Sequence, residues 1–320
     1  MEIKSYQIGD EVKIERLFTE TFGKKMPTGF WKWRYQCNPF LKDVLIHLMW
    51  DEDNLVGHYA LSPIEMSYNH RPILTALSMT TMTSPSYSGR GIFKSLAESV
   101  YSAAVDKYGI KAVWGFPNAN SHYGFIKNLS WSNLGSIPFL SLKIKEEELK
   151  HSTVNYTITK IFSSNKAKTL MSNDEPYNIR INKTQQYLQW RYLENPAFEY
   201  KILELEVDSV KDFIVFKIIK SFSIPTFFEA DIVEWGGVKS DSIHEVIKAL
   251  ISYSVLLGTP IKKVNTWLSL FTTQHLVLEK AGFILDSPVT YMGVRTLGDK
   301  LPDFHSLKSW EIGMGYSDVF

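Results

Sequence analysis

Residues Thr83-Ser84-Pro85-Ser86-Tyr87-Ser88-Gly89-Arg90-Gly91-Ile92-Phe93-Lys94 carry the clearest chemistry in the sequence. An apolar strand-like run precedes them and an amphipathic helix-like run follows. Gly89 and Gly91 allow backbone conformations closed to residues with a Cβ, and let a ligand approach the chain. A helix opening here presents free N–H groups and the positive end of its dipole, a setting for a phosphate or pyrophosphate. Arg90 and Lys94 add charge that an anion can use. No other segment combines strand, proline, aromatic, G-R-G and helix in this way.

The elements that must position this loop are legible in outline. Val44–Trp50 and Leu55–Leu61 read as a strand pair. Ile64–Tyr68 and Ile73–Thr83 read as two further strands. After the loop, Ile92, Leu96, Val100 and Ala103 form a helical stripe. Ala112–Phe116 is a short apolar strand, Asn118–Asn128 is helical, and Leu134–Ile144 closes the unit. Asp10–Phe22 is a helix with Val12, Leu17 and Phe18 inward.

The chain also repeats itself. Trp33-Arg34-Tyr35 with Asn38-Pro39 recurs as Trp190-Arg191-Tyr192 with Asn195-Pro196, 157 positions on. Leu129-Ser130-Trp131 is echoed by Ala281-Gly282-Phe283 at nearly the same interval. Two matches in the same order imply two copies of one mixed-sheet α/β fold. We divide the chain into residues 1–145 with the loop, a solvated connector 146–178, and a second copy 179–320. In that copy Trp235-Gly236-Gly237 is the nearest counterpart of the loop, and acidic, hydroxyl-rich residues follow it.

Composition sets limits. The 320 residues are 44% hydrophobic and 22% charged, as in globular proteins. Thirty-five basic against 34 acidic residues leave a net charge of +1, which offers no long-range pull toward nucleic acid or an anionic membrane. Cys37 is the single cysteine, so neither an internal disulfide nor a thiolate zinc cluster is expected. The eight histidines show no metal-ligand spacing. No secretion signal or membrane span is expected, and a reducing, cytoplasmic setting fits best.

The loop resembles motif A of the GNAT superfamily of N-acetyltransferases, whose pattern is (Gln/Arg)-x-x-Gly-x-(Gly/Ala). Here it stands as Ser86-Tyr87-Ser88-Gly89-Arg90-Gly91, with Ser86 replacing the long first side chain. Gly115-Phe116-Pro117-Asn118-Ala119-Asn120-Ser121 resembles the strand end and helix start beside the pantetheine arm. Leu129-Ser130-Trp131 stands where the family has Leu-Gly-Phe. The resemblance implies two tandem GNAT-like acyl-CoA N-acyltransferase folds, the second degenerate. It implies acetyl-CoA as co-substrate and no metal. Acetyl-CoA would be held by Met82, Thr83, Ser88, Gly89, Arg90, Gly91, Ile92, Phe93, Lys94, Asn118 and Ser121.

The implied reaction is direct attack of a primary amine on the thioester. The acceptor would be a small molecule, for example an amino sugar or a nucleotide-linked amino sugar. An alkyl amine is neutral in only about one molecule in two thousand at pH 7, so the site must supply a base or a desolvating pocket. The backbone around Met82 and Thr83 would stabilise the oxyanion. The family's usual acid, a tyrosine, falls at Ile126, and Tyr123 one turn earlier is the substitute. Candidate bases are Glu65, His58 and the chain-terminal carboxylate of Phe320, as in the mycobacterial aminoglycoside acetyltransferases. Two other readings stay open. One is an aminoacyl-tRNA-dependent peptidyltransferase, disfavoured by the intact G-R-G loop. The other is a non-catalytic acyl-CoA-binding protein, favoured by Ile126.

Overall fold

The computed structural model describes all residues except 41–42, 150–153, 173–176, 208–209, 222–223, 225, 240 and 319–320. The first half runs β1 (Glu2–Ser5), α1 (Glu11–Phe22), a π-helical turn (Lys32–Gln36), β2 (Leu45–Asp51), β3 (Asn54–Tyr68) and β4 (Arg71–Thr83). It continues through α2 (Ile92–Tyr108), β5 (Ala112–Gly115), α3 (Ala119–Tyr123) and β6 (Ser132–Lys143). The second half runs β7 (Thr157–Thr159), α4 (Ser164–Met171), β8 (Ile179–Ile181), α5 (Gln185–Leu188), a π-helical turn (Gln189–Leu193), β9 (Lys201–Val207) and β10 (Val210–Lys220). It ends with β11 (Phe228–Gly236), α6 (Ile243–Leu256), β12 (Ile261–Trp267), α7 (Thr273–Lys280) and β13 (Ile284–Thr296).

One sheet runs through both halves in the order β1-β2-β3-β4-β5-β13-β6-β12-β11-β10-β9-β7, with β8 on β3. If β1 is matched with β7, β2 with β9, β3 with β10, β4 with β11, β5 with β12 and β6 with β13, this order is a palindrome. The closing strands are exchanged. β13 pairs antiparallel with β5, β6 pairs antiparallel with β12, and the two lie side by side. Leu134–Ile144 therefore does not close its own half, as the linear reading expects. A ladder is satisfied equally by either copy's strand, so periodicity does not reveal the exchange. Part of the expected connector is also ordered, since β7 and α4 stand where β1 and α1 stand in the first half.

Two local expectations change. β3 is one strand through Pro63 rather than two. Pro63 lies beyond the last β2–β3 pair, Leu45↔Leu61, and its carbonyl accepts from Asn38 Nδ2 at 3.0 Å, so no ladder donor is missed there. In α1 the buried positions are Ile14 and Leu17, and Val12 faces solvent.

The repeated Trp-Arg-Tyr motif joins the halves. Trp33 Nε1 donates to the Trp190 carbonyl at 2.7 Å, and Trp190 Nε1 donates to the Trp33 carbonyl at 3.0 Å. The rings stack at 5.2 Å. Arg34 and Arg191 are both buried beside them, and burial, then Arg191, pulls Arg34 down to about 10. The motif is a packing device, which explains why both copies keep it.

Ser130 adopts φ +55°, in the left-handed region, where its counterpart is Gly282 at φ +96°. Ser130→Gly relieves this strain and is expected to stabilise the protein by about 0.5–1 kcal/mol. A rise of about 2 °C in the melting midpoint would show it.

Candidate functional site

β4 and β5 run parallel only at Ala76↔Val113 and Leu77↔Trp114, then diverge. At the fork Gly115 is required by close approach, because a Cβ there would stand 3.1 Å from the Ser78 carbonyl oxygen. Along the open arm, β4 is bulged. His58 pairs with Met82 and Ala60 with Met79, so β4 has one residue too many between them. Thr80 absorbs it at φ +51°. A threonine rarely takes this conformation, which costs on the order of 1–3 kcal/mol.

Two side chains hold Thr80 there. Tyr35 Oη donates to Thr80 Oγ1 at 2.9 Å. His58 Nδ1 lies 2.7 Å from the Thr80 carbonyl oxygen. A carbonyl only accepts, so Nδ1 carries the proton and Nε2 presents its lone pair. Nε2 is buried without a hydrogen-bond partner. His58 is 1% exposed, and burial pushes its pKa down to about 4. The imidazole is therefore neutral in the folded protein. Between about pH 6.5 and 4 the unfolded chain binds this proton and the folded one does not. Stability from His58 is complete above pH 6.5 and is lost as pH falls through 4, by on the order of 3 kcal/mol. Urea midpoints measured across this range should fall less steeply in His58→Gln than in the parent.

Beyond β4, Pro85–Tyr87 forms a 3-10 turn. It is tied down by Tyr87 Oη donating to Asp51 Oδ2 at 2.7 Å and by Ser84 Oγ donating to Glu20 Oε1 at 2.7 Å. Arg90 stacks over the Tyr87 ring at 4.6 Å. Gly89 and Gly91 take φ +77° and +75°. Gly91 caps the 17-residue α2 with no side-chain cap bond, so the first-turn N–H groups are available. A Cβ at either glycine would meet nothing within 4 Å. Conformation, not crowding by the protein, requires glycine, and the space above the helix end is open.

A cavity of about 300 Å³ sits there. Of the expected cofactor residues, Thr83 and Ser88 through Lys94 line it, and Tyr87 and Asn128 line it beside them. Ile92 is buried against the position of Gly57, so it offers the site only its backbone. Met82 is buried in the core and does not line the cavity.

The other candidates scatter. Asn118 caps α3, its Oδ1 accepting from the N–H groups of Asn120 and Ser121 at 3.0 and 3.2 Å, and Ser121 Oγ turns back onto Asn118. Tyr123, at the end of α3, is 70% exposed. Glu65 pairs across from Leu74 and bonds Asn182 Nδ2. Since Gly57 pairs with Thr83, Glu65 stands eight residues along β3 from the loop end, ~26 Å at strand rise. The structure does not bring it to the loop. Phe320 lies outside the described residues. Cys37 is an exposed free thiol.

Burial raises the pKa of Asp318, while Arg34 and Arg191 oppose that rise. Nearby, Arg191 Nη2 donates to the Ser317 carbonyl at 2.7 Å.

The family described as acetyltransferase (GNAT) domain matches residues 2–133. No curated protein matches the sequence. Among solved structures, a GCN5-related N-acetyltransferase from Anabaena variabilis ATCC 29413 has a TM-score of 0.63 at 12% identity, covering 93% of this chain and 73% of that one. One from Kribbella flavida has a TM-score of 0.63 at 13% identity, covering 92% and 71%. A conserved protein of unknown function from Enterococcus faecalis V583, described as a probable N-acyltransferase, has a TM-score of 0.66 at 13% identity, covering 92% and 72%. At such identities the likeness speaks to fold. Residues 2–133 match the GNAT acetyltransferase domain family, and the fold is shared along the chain with GCN5-related N-acetyltransferases.

Proposed function

We propose that the protein is an acetyl-CoA-dependent N-acetyltransferase that acts on the primary amine of a small acceptor. The observation that carries this reading is the open N-terminus of α2, hinged by two left-handed glycines, at the end of a bulged strand that diverges from its parallel neighbour. The CoA pyrophosphate would accept from the first-turn N–H groups, with Arg90 and Lys94 beside it. The pantetheine arm would enter the fork, and the thioester carbonyl would accept from a backbone N–H of the bulged arm between Thr80 and Thr83. The neutral amine attacks the carbonyl carbon, the tetrahedral intermediate collapses, and the C–S bond breaks. The CoA thiolate leaves, and the proton lost by nitrogen balances its charge. Tyr123 remains our candidate for moving that proton. Residues 1–145 are the acyl-CoA domain on this reading, and the half that follows supports it. A cytoplasmic enzyme without nucleic-acid or membrane partners fits the even charge balance. No helix among the described residues is long and apolar enough to cross a membrane.

In this mechanism Tyr35 and His58 are positioning residues for the bulge. Tyr35→Phe and His58→Gln are each expected to lower kcat by about 10–100-fold, with KM for acetyl-CoA changed less than about threefold. Equal changes in both parameters would contradict that role. The reading as a whole is tested by thiol release from acetyl-CoA across a panel of amino sugars and alkyl amines. Turnover with at least one supports it. Binding without turnover on any amine would favour a non-catalytic acyl-CoA-binding protein.

A further inference from the structure

The second half has a fork of its own. β11 and β12 run parallel from Phe228↔Ile261 to Ile232↔Thr266 and then part. β11 is also bulged there, between Val215↔Glu234 and Phe216↔Ile232. Where the first fork leads to the glycine loop, this one opens into a cavity of about 690 Å³. Residues 311–316 close one side of it: Gly313 bridges to Leu268, and Glu311 and Tyr316 line the wall.

At its base lies a charged triad. Lys183 Nζ sits 2.8 Å from Glu234 Oε2 and 3.2 Å from Glu311 Oε1. Tyr192 Oη donates to Glu234 Oε1 at 2.6 Å, and Tyr316 Oη donates to Glu311 Oε2 at 2.7 Å. All three charged side chains are less than a tenth exposed. Burial opposes the lysine's charge, yet Glu234 and Glu311 outweigh it and raise the pKa. The triad sets one lysine between two carboxylates, and Lys239, an exposed residue, also lines the cavity. Each carboxylate oxygen keeps a second lone pair beyond the bond just named. An uncompensated buried charge is costly, and a cation entering the cavity would offset it. Half-buried Trp235 lines the same space, and an indole ring is of the kind that attracts organic cations. A pyrophosphate would meet two carboxylates here.

We propose that the fork of the second half is a binding site for a small organic ammonium ion, separate from the acyl-CoA site. Charge selects it at Glu234 and Glu311, and the Trp235 indole selects an organic cation over a hydrated metal.

The test is calorimetric titration of the full chain with 1,4-diaminobutane, with 1,4-butanediol and succinate as the neutral and anionic controls. The diamine alone is expected to saturate. Glu311→Gln should weaken it at least tenfold, and Ser172→Trp, an exposed rim position, should block it without touching the triad. Gly91→Val should bind the diamine as the parent does, so this outcome is read independently of acetyl-CoA. No saturation by about 10 mM, equal binding of the diol or succinate, or binding retained in both cavity variants would overturn the proposal. If Glu311→Gln fails to fold by circular dichroism, Ser172→Trp decides alone.

Discussion

Gly91→Val is expected to weaken acetyl-CoA binding by more than about 100-fold while the protein stays folded. Two effects add. Gly91 sits at φ +75°, where a β-branched residue pays about 2 kcal/mol or more. The valine can relieve that strain only by moving the chain that presents the first-turn N–H groups of α2. If it does not move, its side chain stands in the open space where the anion must approach. Gly91→Ala, with a smaller side chain and less strain, should fall between parent and valine. The fold should survive because a Cβ at this position meets no protein atom within 4 Å. Affinity unchanged in Gly91→Val would show that this loop is not the phosphate cradle.

Trp190→Ala is expected to destabilise the protein by about 3–5 kcal/mol, as truncation of a buried tryptophan does. The cost here has a second source. Trp190 Nε1 satisfies the Trp33 carbonyl, and the alanine leaves that buried acceptor without its donor. Trp33→Ala should cost a similar amount for the mirror reason. The double variant should lose clearly less than the two single losses combined, since the stacked pair is one shared contact. Urea unfolding measures all three. Losses below about 1 kcal/mol, or full additivity, would contradict the view that this pair clamps the two halves together.

The residues that read most clearly in the sequence are those whose role depends on type and spacing. Gly89 and Gly91 show a need for positive φ, and the structure places both there. Trp33 and Trp190 show the repeat because each needs the other to pair. The strand exchange escaped, because β6 and β13 alternate in the same way beside either neighbour. The bulge at Thr80 escaped as well. Threonine is a strand former, and only the contacts of Tyr35 and His58, distant in sequence, impose its left-handed backbone. Asn118 reads as a ligand residue beside the fork, but its short polar side chain is taken up in capping α3. The triad of Lys183, Glu234 and Glu311 was invisible for the same reason as the bulge: its members are scattered along the chain, and only folding assembles them.

On the proposed function, one half of this repeat keeps a CoA cradle and the other does not. The stoichiometry of acetyl-CoA binding by calorimetry tests it most directly. One molecule per chain is expected, with the heat lost in Gly91→Val. No binding at about millimolar acetyl-CoA, or two equivalent sites per chain, would contradict it.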